Sequence, residues 1–224
     1  MADIARMKRT AKDNGKKLLA ALFGRFVSVY KYVYDTLQAG HLGKPIAVFA
    51  NRRTAPIWGN GWNENFILDL MLHDVDYLYW LMGKPISVTG HALRNAKKGW
   101  GQVFIALDYE DAGGLIEGSG IMPLSFPFST SLRVVCEAGA IDLNWHWGGQ
   151  FPVSEVKMYP QKGNPEILVI PDYDPYQAEC RYFVDCIKGK ADSSLLGIES
   201  AAESISIALA AKRSLEQNGK RIFL

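Results

Sequence analysis

A chain of 224 residues, 48% of them apolar, is long enough to bury a substantial core without disulfide or metal staples. Its 25 Lys and Arg against 23 Asp and Glu leave a net charge of +2, which excludes the broad basic field expected of a nucleic-acid-binding domain. Three cysteines fit neither disulfide-framework nor zinc spacing and suit free thiols in a reducing cytoplasm; no apolar run reaches the roughly 18 residues that a bilayer span needs.

In chain order, residues 3–13 have helical composition and stop at Asn14-Gly15, a C-cap signal. Lys17–Phe23 is a short apolar run suited to a buried strand. Val27–Gln38 reads as a second helix, stopped by Gly40 and Gly43-Lys44-Pro45, and Ile46–Arg52 as a strand. A Gly- and Trp-rich loop then leads into Ile67–Gly83, a helix that is apolar nearly all round. From there the period falls to two, with strands expected at Ile86–Leu93, Gln102–Tyr109, Gly114–Ile121, Ser131–Glu137, Ala140–Trp147, Glu155–Tyr159 and Ile167–Ile170. No long helix separates them, so the sheet is expected to be mostly antiparallel. Helices at Pro175–Lys188 and Ile198–Asn218 close the chain.

The helix Ile67–Gly83 carries the chemistry. Asp69, His73 and Asp76 recur at intervals of four and three, which stacks ionisable groups on one face of a helix that must otherwise be buried. Three readings stay open on the residues alone. The Asp–His pair can be a hydrogen-bonded core pair, an acid–base pair in which the carboxylate orients the imidazole, or part of a metal site lacking a visible fourth ligand. Trp58 and Trp62, in the loop before the helix, are candidate sugar-stacking residues, and Arg52 at a strand end can reach an anionic substrate. His91 and His146 read as ordinary sheet residues. There is no GxGxxG turn, P-loop or HExxH.

Several passages in this order resemble one family. Ala11-Lys12, Gly15-Lys16, Arg25-Phe26 and Gly40 to Pro45 are similar to the opening of the C-terminal two-thirds of the Gfo/Idh/MocA oxidoreductases, which act on sugars, inositols and related polyols with NAD or NADP. Asp69, His73, Asp76 and Trp80 to Gly83 resemble that family's central helix, Leu115 to Ser119 with Pro123 its next strand, and Tyr176, Glu179, Phe183 and Gly189 its ending.

The resemblance implies an α+β fold in which a large open, mostly antiparallel sheet carries helices on one face, preceded by a short Rossmann remnant. Residues 1–28 would be the last helix and strand of a dinucleotide-binding domain, and 29–224 the substrate-binding and oligomerisation domain. His73 would be the catalytic acid/base and Asp69 its neighbour; Trp58, Trp62, Arg52 and Asp76 would contact substrate, Asp76 serving alternatively as a structural hydrogen-bonding partner.

The family's Gly-rich cofactor turn and its Glu-Lys-Pro motif have no counterpart in this sequence, so NAD or NADP is implied for the family but not expected to bind this chain alone. A sugar or polyol ligand, a homodimer or tetramer through the sheet, and a separate Rossmann-domain partner are the expected associations, with neither nucleic acid nor membrane. The alternative is a non-catalytic dimerising scaffold or a truncated product of the same family. Two departures bear on activity: Asn63-Glu64-Asn65 stand where the family commonly has glycines, and Met71 replaces another. Apolar residues on both faces of Gln102–Asp108, and the Ile141–Leu143 side extended by Trp145 and Trp147, lead to the expectation of an apolar sheet face too large to leave exposed.

Overall fold

The computed structural model describes residues 1–57, 61–95, 97–147 and 153–224. Five helices are present among them: α1 (Ala2–Asp13), α2 (Ser28–Gln38), α3 (Leu72–Met82), α4 (Pro175–Ile187) and α5 (Ile198–Glu216). The strands are β1 (Pro45–Arg53), β2 (Ser87–Asn95), β3 (Gly99–Asp108), β4 (Gly113–Ser119), β5 (Phe128–Cys136), β6 (Gly139–Trp147), β7 (Val153–Pro160), β8 (Glu166–Leu168) and β9 (Ile222–Phe223). They form one sheet in the order β8-β7-β6-β5-β1-β4-β3-β2-β9. Every pairing is antiparallel except β1 with β4, whose connection passes through α3 and returns by β2 and β3. The expected open, mostly antiparallel sheet is therefore the one observed.

Side-chain alternation decides which face the helices cover. Val48, Ala50, Val103, Ile105, Leu107, Ile116, Leu132, Val134, Ile141 and Leu143 are buried on one face, beneath α2, α3 and α5. Each fully buried aliphatic side chain of this kind stabilises the fold by roughly 1.5–3 kcal/mol. The Ile141–Leu143 side is thus covered within a single chain, because α2 packs over β6 and β7. The expectation of a bare apolar face on that side is corrected. The opposite face is mixed. It carries Phe49, Phe104 and Leu115, at 46%, 40% and 40% exposure, beside an Arg133–Asp142 ion pair and an Arg53–Glu117 pair.

One other expectation is corrected, and one strand was not foreseen. Lys17–Phe23 forms no extended strand: Leu19 makes one bridge to Gly197, Ala20 N–H donates to the Leu196 carbonyl, and the chain then tightens into a 3-10 turn, Phe23–Phe26. β9, a two-residue C-terminal strand beside β2, carries too little pattern to be read from sequence.

Candidate active site

The long apolar helix begins with a wide π-type turn, Ile67–Met71, before continuing as α3 to Gly83, whose φ of 79° ends it. Such turns insert one residue into the helical repeat and recur at functional sites. Ile67, Leu70, Met71, Val75, Tyr77, Leu78 and Leu81 are buried, whereas Asp69 and His73 are exposed. The helix is embedded except for a strip that holds those two residues.

Its other charges are matched by arginines. Asp76 accepts from Arg25 Nε at 3.0 Å and Nη2 at 2.7 Å and from the Ser204 hydroxyl at 2.8 Å. Arg25, only 2% exposed, also donates to the Leu195 carbonyl and to Ser200, and its guanidinium lies 5.5 Å from the Trp80 ring centre. Asp74 accepts from Arg52 Nε at 2.7 Å and Nη2 at 3.1 Å, with Arg52 resting on Phe128. Two fork-like arginine pairs therefore clamp α3, one from β1 and one from the 3-10 turn; such bidentate pairs fix orientation as well as charge.

This assigns places to the residues selected from sequence. Asp76 and Arg52 are each committed to a buried ion pair. Trp62 is half-buried and lies against Gly101, where a Cβ would sit 2.8 Å from Trp62 Cδ2. Trp58 lies outside the described residues, as does the side chain of Trp147. Met71 is fully buried, its side chain filling the space above Gly118, so its bulk enters the core rather than the exposed strip. Glu64 is exposed and turns toward Arg94 at 3.6 Å.

His73 reaches solvent from crowded surroundings. Desolvation is the main cause that lowers its pKa below the usual 6.5, and the Arg52 cation lowers it further, while Asp74 and Asp76 act in the opposite direction. The imidazole is accordingly neutral at neutral pH and free to accept a proton. The Phe23 ring stands edge-on to it, 6.4 Å between centres at 72°, and Tyr176 at the start of α4 lies 4.5 Å from Phe23.

Phe23, Tyr176 and Asp74 are the neighbours that sequence reasoning gave no role. Arg25-Phe26 and Tyr176 stand in the passages that resemble the family, which was the available signal. A cavity of about 540 Å³ lies toward the other end of α3, lined by Tyr34, Trp80, Tyr182 and Ser200, and includes neither His73 nor Asp69.

Among the described residues no group of three or more His, Cys, Asp or Glu side chains is placed to hold a metal ion. The start of α5, at Gly197, is occupied by the Leu19 bridge and the Lys8–Glu199 pair.

Residues 30–142 match the family model described as the GFO/IDH/MocA C-terminal domain. The chain belongs to that family. An inositol 2-dehydrogenase of Saccharopolyspora erythraea is 25% identical over 130 residues, a match that takes in 56% of this chain and 38% of the relative. Among solved structures, an oxidoreductase from Agrobacterium radiobacter in complex with NAD+, L-tartaric acid and magnesium superposes with a TM-score of 0.80 at 17% identity, covering 99% of this chain and 69% of that one. The aldose-aldose oxidoreductase from Caulobacter crescentus complexed with glycerol gives a TM-score of 0.81 at 14% identity, over 100% of this chain and 68% of the other. At such identities the structural likeness carries the fold alone. Among the described residues no helix is long and apolar enough to cross a membrane.

Proposed function

We propose that this chain is the substrate-binding and oligomerisation portion of a nicotinamide-dependent sugar or polyol oxidoreductase. In this reading residues 1–28 are the end of a dinucleotide-binding unit and 29–224 the substrate domain. The observation that carries it is His73: an imidazole exposed on a helix whose neighbouring carboxylates, Asp74 and Asp76, are held by arginines, its pKa lowered by desolvation. Oxidation of a secondary alcohol requires a group to take the hydroxyl proton, and a histidine whose pKa lies below neutrality is in the form that takes it. Asp69, one turn earlier and also exposed, is the substrate contact beside it. The likeness to an inositol 2-dehydrogenase supports a polyol or sugar as the ligand.

The residues of this chain supply the proton side of the reaction and the substrate surface. The sequence as given holds no Gly-rich turn to cradle a pyrophosphate, so in this reading these residues leave hydride transfer to a dinucleotide-binding unit beyond them. Calorimetric titration with NADH and NADPH is expected to give no micromolar binding. In parallel, titration with myo-inositol followed by NMR is expected to move the His73 imidazole resonances. A polyol that binds while leaving those resonances unmoved would remove the acid–base role.

A dimerising scaffold without chemistry is the second reading, favoured by the apolar group Phe49, Phe104 and Leu115 on the open sheet face. Both readings expect at least a dimer in light scattering at micromolar concentration, through an interface of more than roughly 1,000 Å² in total.

A further inference from the structure

We propose that Phe23 and Tyr176 form a stacking subsite beside His73 that receives the apolar face of a ring-shaped polyol or sugar. The proposal rests on the reading of His73 as the substrate-facing group and adds the surface on which the substrate lies.

Tyr176 is 65% exposed although it is a large aromatic residue, so an apolar ring is presented to water. It is not loosely placed. Pro175 opens α4, and the Asp174 carboxylate accepts from the Tyr176 and Gln177 N–H groups at 2.9 and 3.1 Å, which fixes the first turn. One turn further, the Glu179 carboxylate lies against the Leu22 backbone, and Phe26 packs edge-on against Tyr182 with ring centres 5.6 Å apart. These contacts register α4 against the 3-10 turn that carries Phe23. The Tyr176 and Phe23 rings consequently meet at 4.5 Å with a tilt of 32°, and Phe23 reaches His73 from the same turn.

Three rings thus converge from three elements, with an exposed imidazole at one end of the row. A cyclitol or pyranose has C–H groups on a ring face and hydroxyls around its rim. The C–H face suits the electron-rich face of an aromatic ring, and the rim is what a proton-accepting imidazole must reach. Trp62, the candidate stacking residue before the helix, has a face against Gly101, whereas Tyr176 is largely open. Rigid aromatic surfaces also bind with little loss of side-chain freedom.

The test is an NMR titration of the intact chain with myo-inositol, with an open-chain hexitol as the comparison, following the Tyr176 and His73 ring resonances. Myo-inositol is expected to shift both, and Tyr176→Ala to weaken its binding by roughly three- to tenfold, the range set by aromatic contacts of about 0.5–1.5 kcal/mol. Tyr176→Phe, which keeps the ring, is expected to bind as the parent does, and the hexitol to be insensitive to either change. Shifts at His73 with unchanged affinity in Tyr176→Ala would overturn the subsite and leave the role of His73 standing. Absence of shifts at both rings up to saturating myo-inositol would overturn the subsite and the reading beneath it. Nicotinamide mononucleotide shifting Tyr176 where myo-inositol does not would also overturn it, giving that surface to the cofactor ring.

Discussion

Asp74 and Asp76 lie on the embedded side of α3, whereas His73, and Asp69 in the π-type turn before it, lie on the exposed strip. Each embedded carboxylate is held by two arginine N–H donors, and Asp76 by a serine hydroxyl as well. Burying an ionised carboxylate without such partners is costly, so these two are part of how the helix is fixed to β1 and to the 3-10 turn. The exposed pair performs no comparable structural task. The difference separates charges that the fold requires from charges it merely tolerates, and the second group is where function is to be sought.

The most severe way to break that distinction is to remove one arginine. Arg25→Met leaves Asp76 buried without its main partner and is expected to cost about 3–5 kcal/mol, measured by urea unfolding at neutral pH. Arg25→Met with Asp76→Leu removes both charges and is expected to recover much of the loss. If Arg25→Met changed stability by less than about 1 kcal/mol, the clamp would not be holding the helix.

A smaller effect is expected where α3 meets the sheet. A Cβ at Gly118 would lie 2.5 Å from Met71 Cγ, so Gly118→Ala forces the thioether to move. The expected cost is about 1–3 kcal/mol. Combined with Met71→Ala, which creates space at the same point, the loss is expected to be less than the sum of the two single changes, as a double-mutant cycle would register. Additive losses would mean that the two residues do not share that space. On the exposed strip, by contrast, Asp69→Ala is expected to change stability by no more than about 0.5 kcal/mol.

Much of this architecture was legible because its signals are local. The period-two stretches from Ile86 onward gave the strands, and the apolar helix could be placed between Trp62 and Gly83. What was not legible depends on distant partners. Asp74 could not be told from Asp69 by spacing, since its role is set by Arg52, 22 residues earlier and on another element. Asp76 likewise depends on Arg25, 51 residues away. The π-type turn has no residue signature of its own, and it lies among apolar side chains that fit an α-helix equally well. Met71 reads as an obstruction until Gly118 is seen opposite it. Tyr176 carried a motif but no chemistry in sequence, because its neighbour Phe23 is supplied by a turn near the other end of the chain.

The smallest effect expected concerns His73 and pH. Its pKa in the folded protein is lowered from 6.5, first by desolvation and then by Arg52. An unfolded chain leaves this histidine near 6.5, so as pH falls the unfolded state takes up the proton first, which favours unfolding. The contribution of His73 is therefore fully present above about 6.5, declines as pH falls through the interval down to the lowered folded value, and is constant below it. His73→Gln removes this dependence. Melting temperatures at pH 7.5 and 5.5 are expected to differ less in the variant than in the parent. Equal differences would place His73 in an environment no different from water, and the neutral imidazole on which its proton-accepting role depends would lose its physical basis.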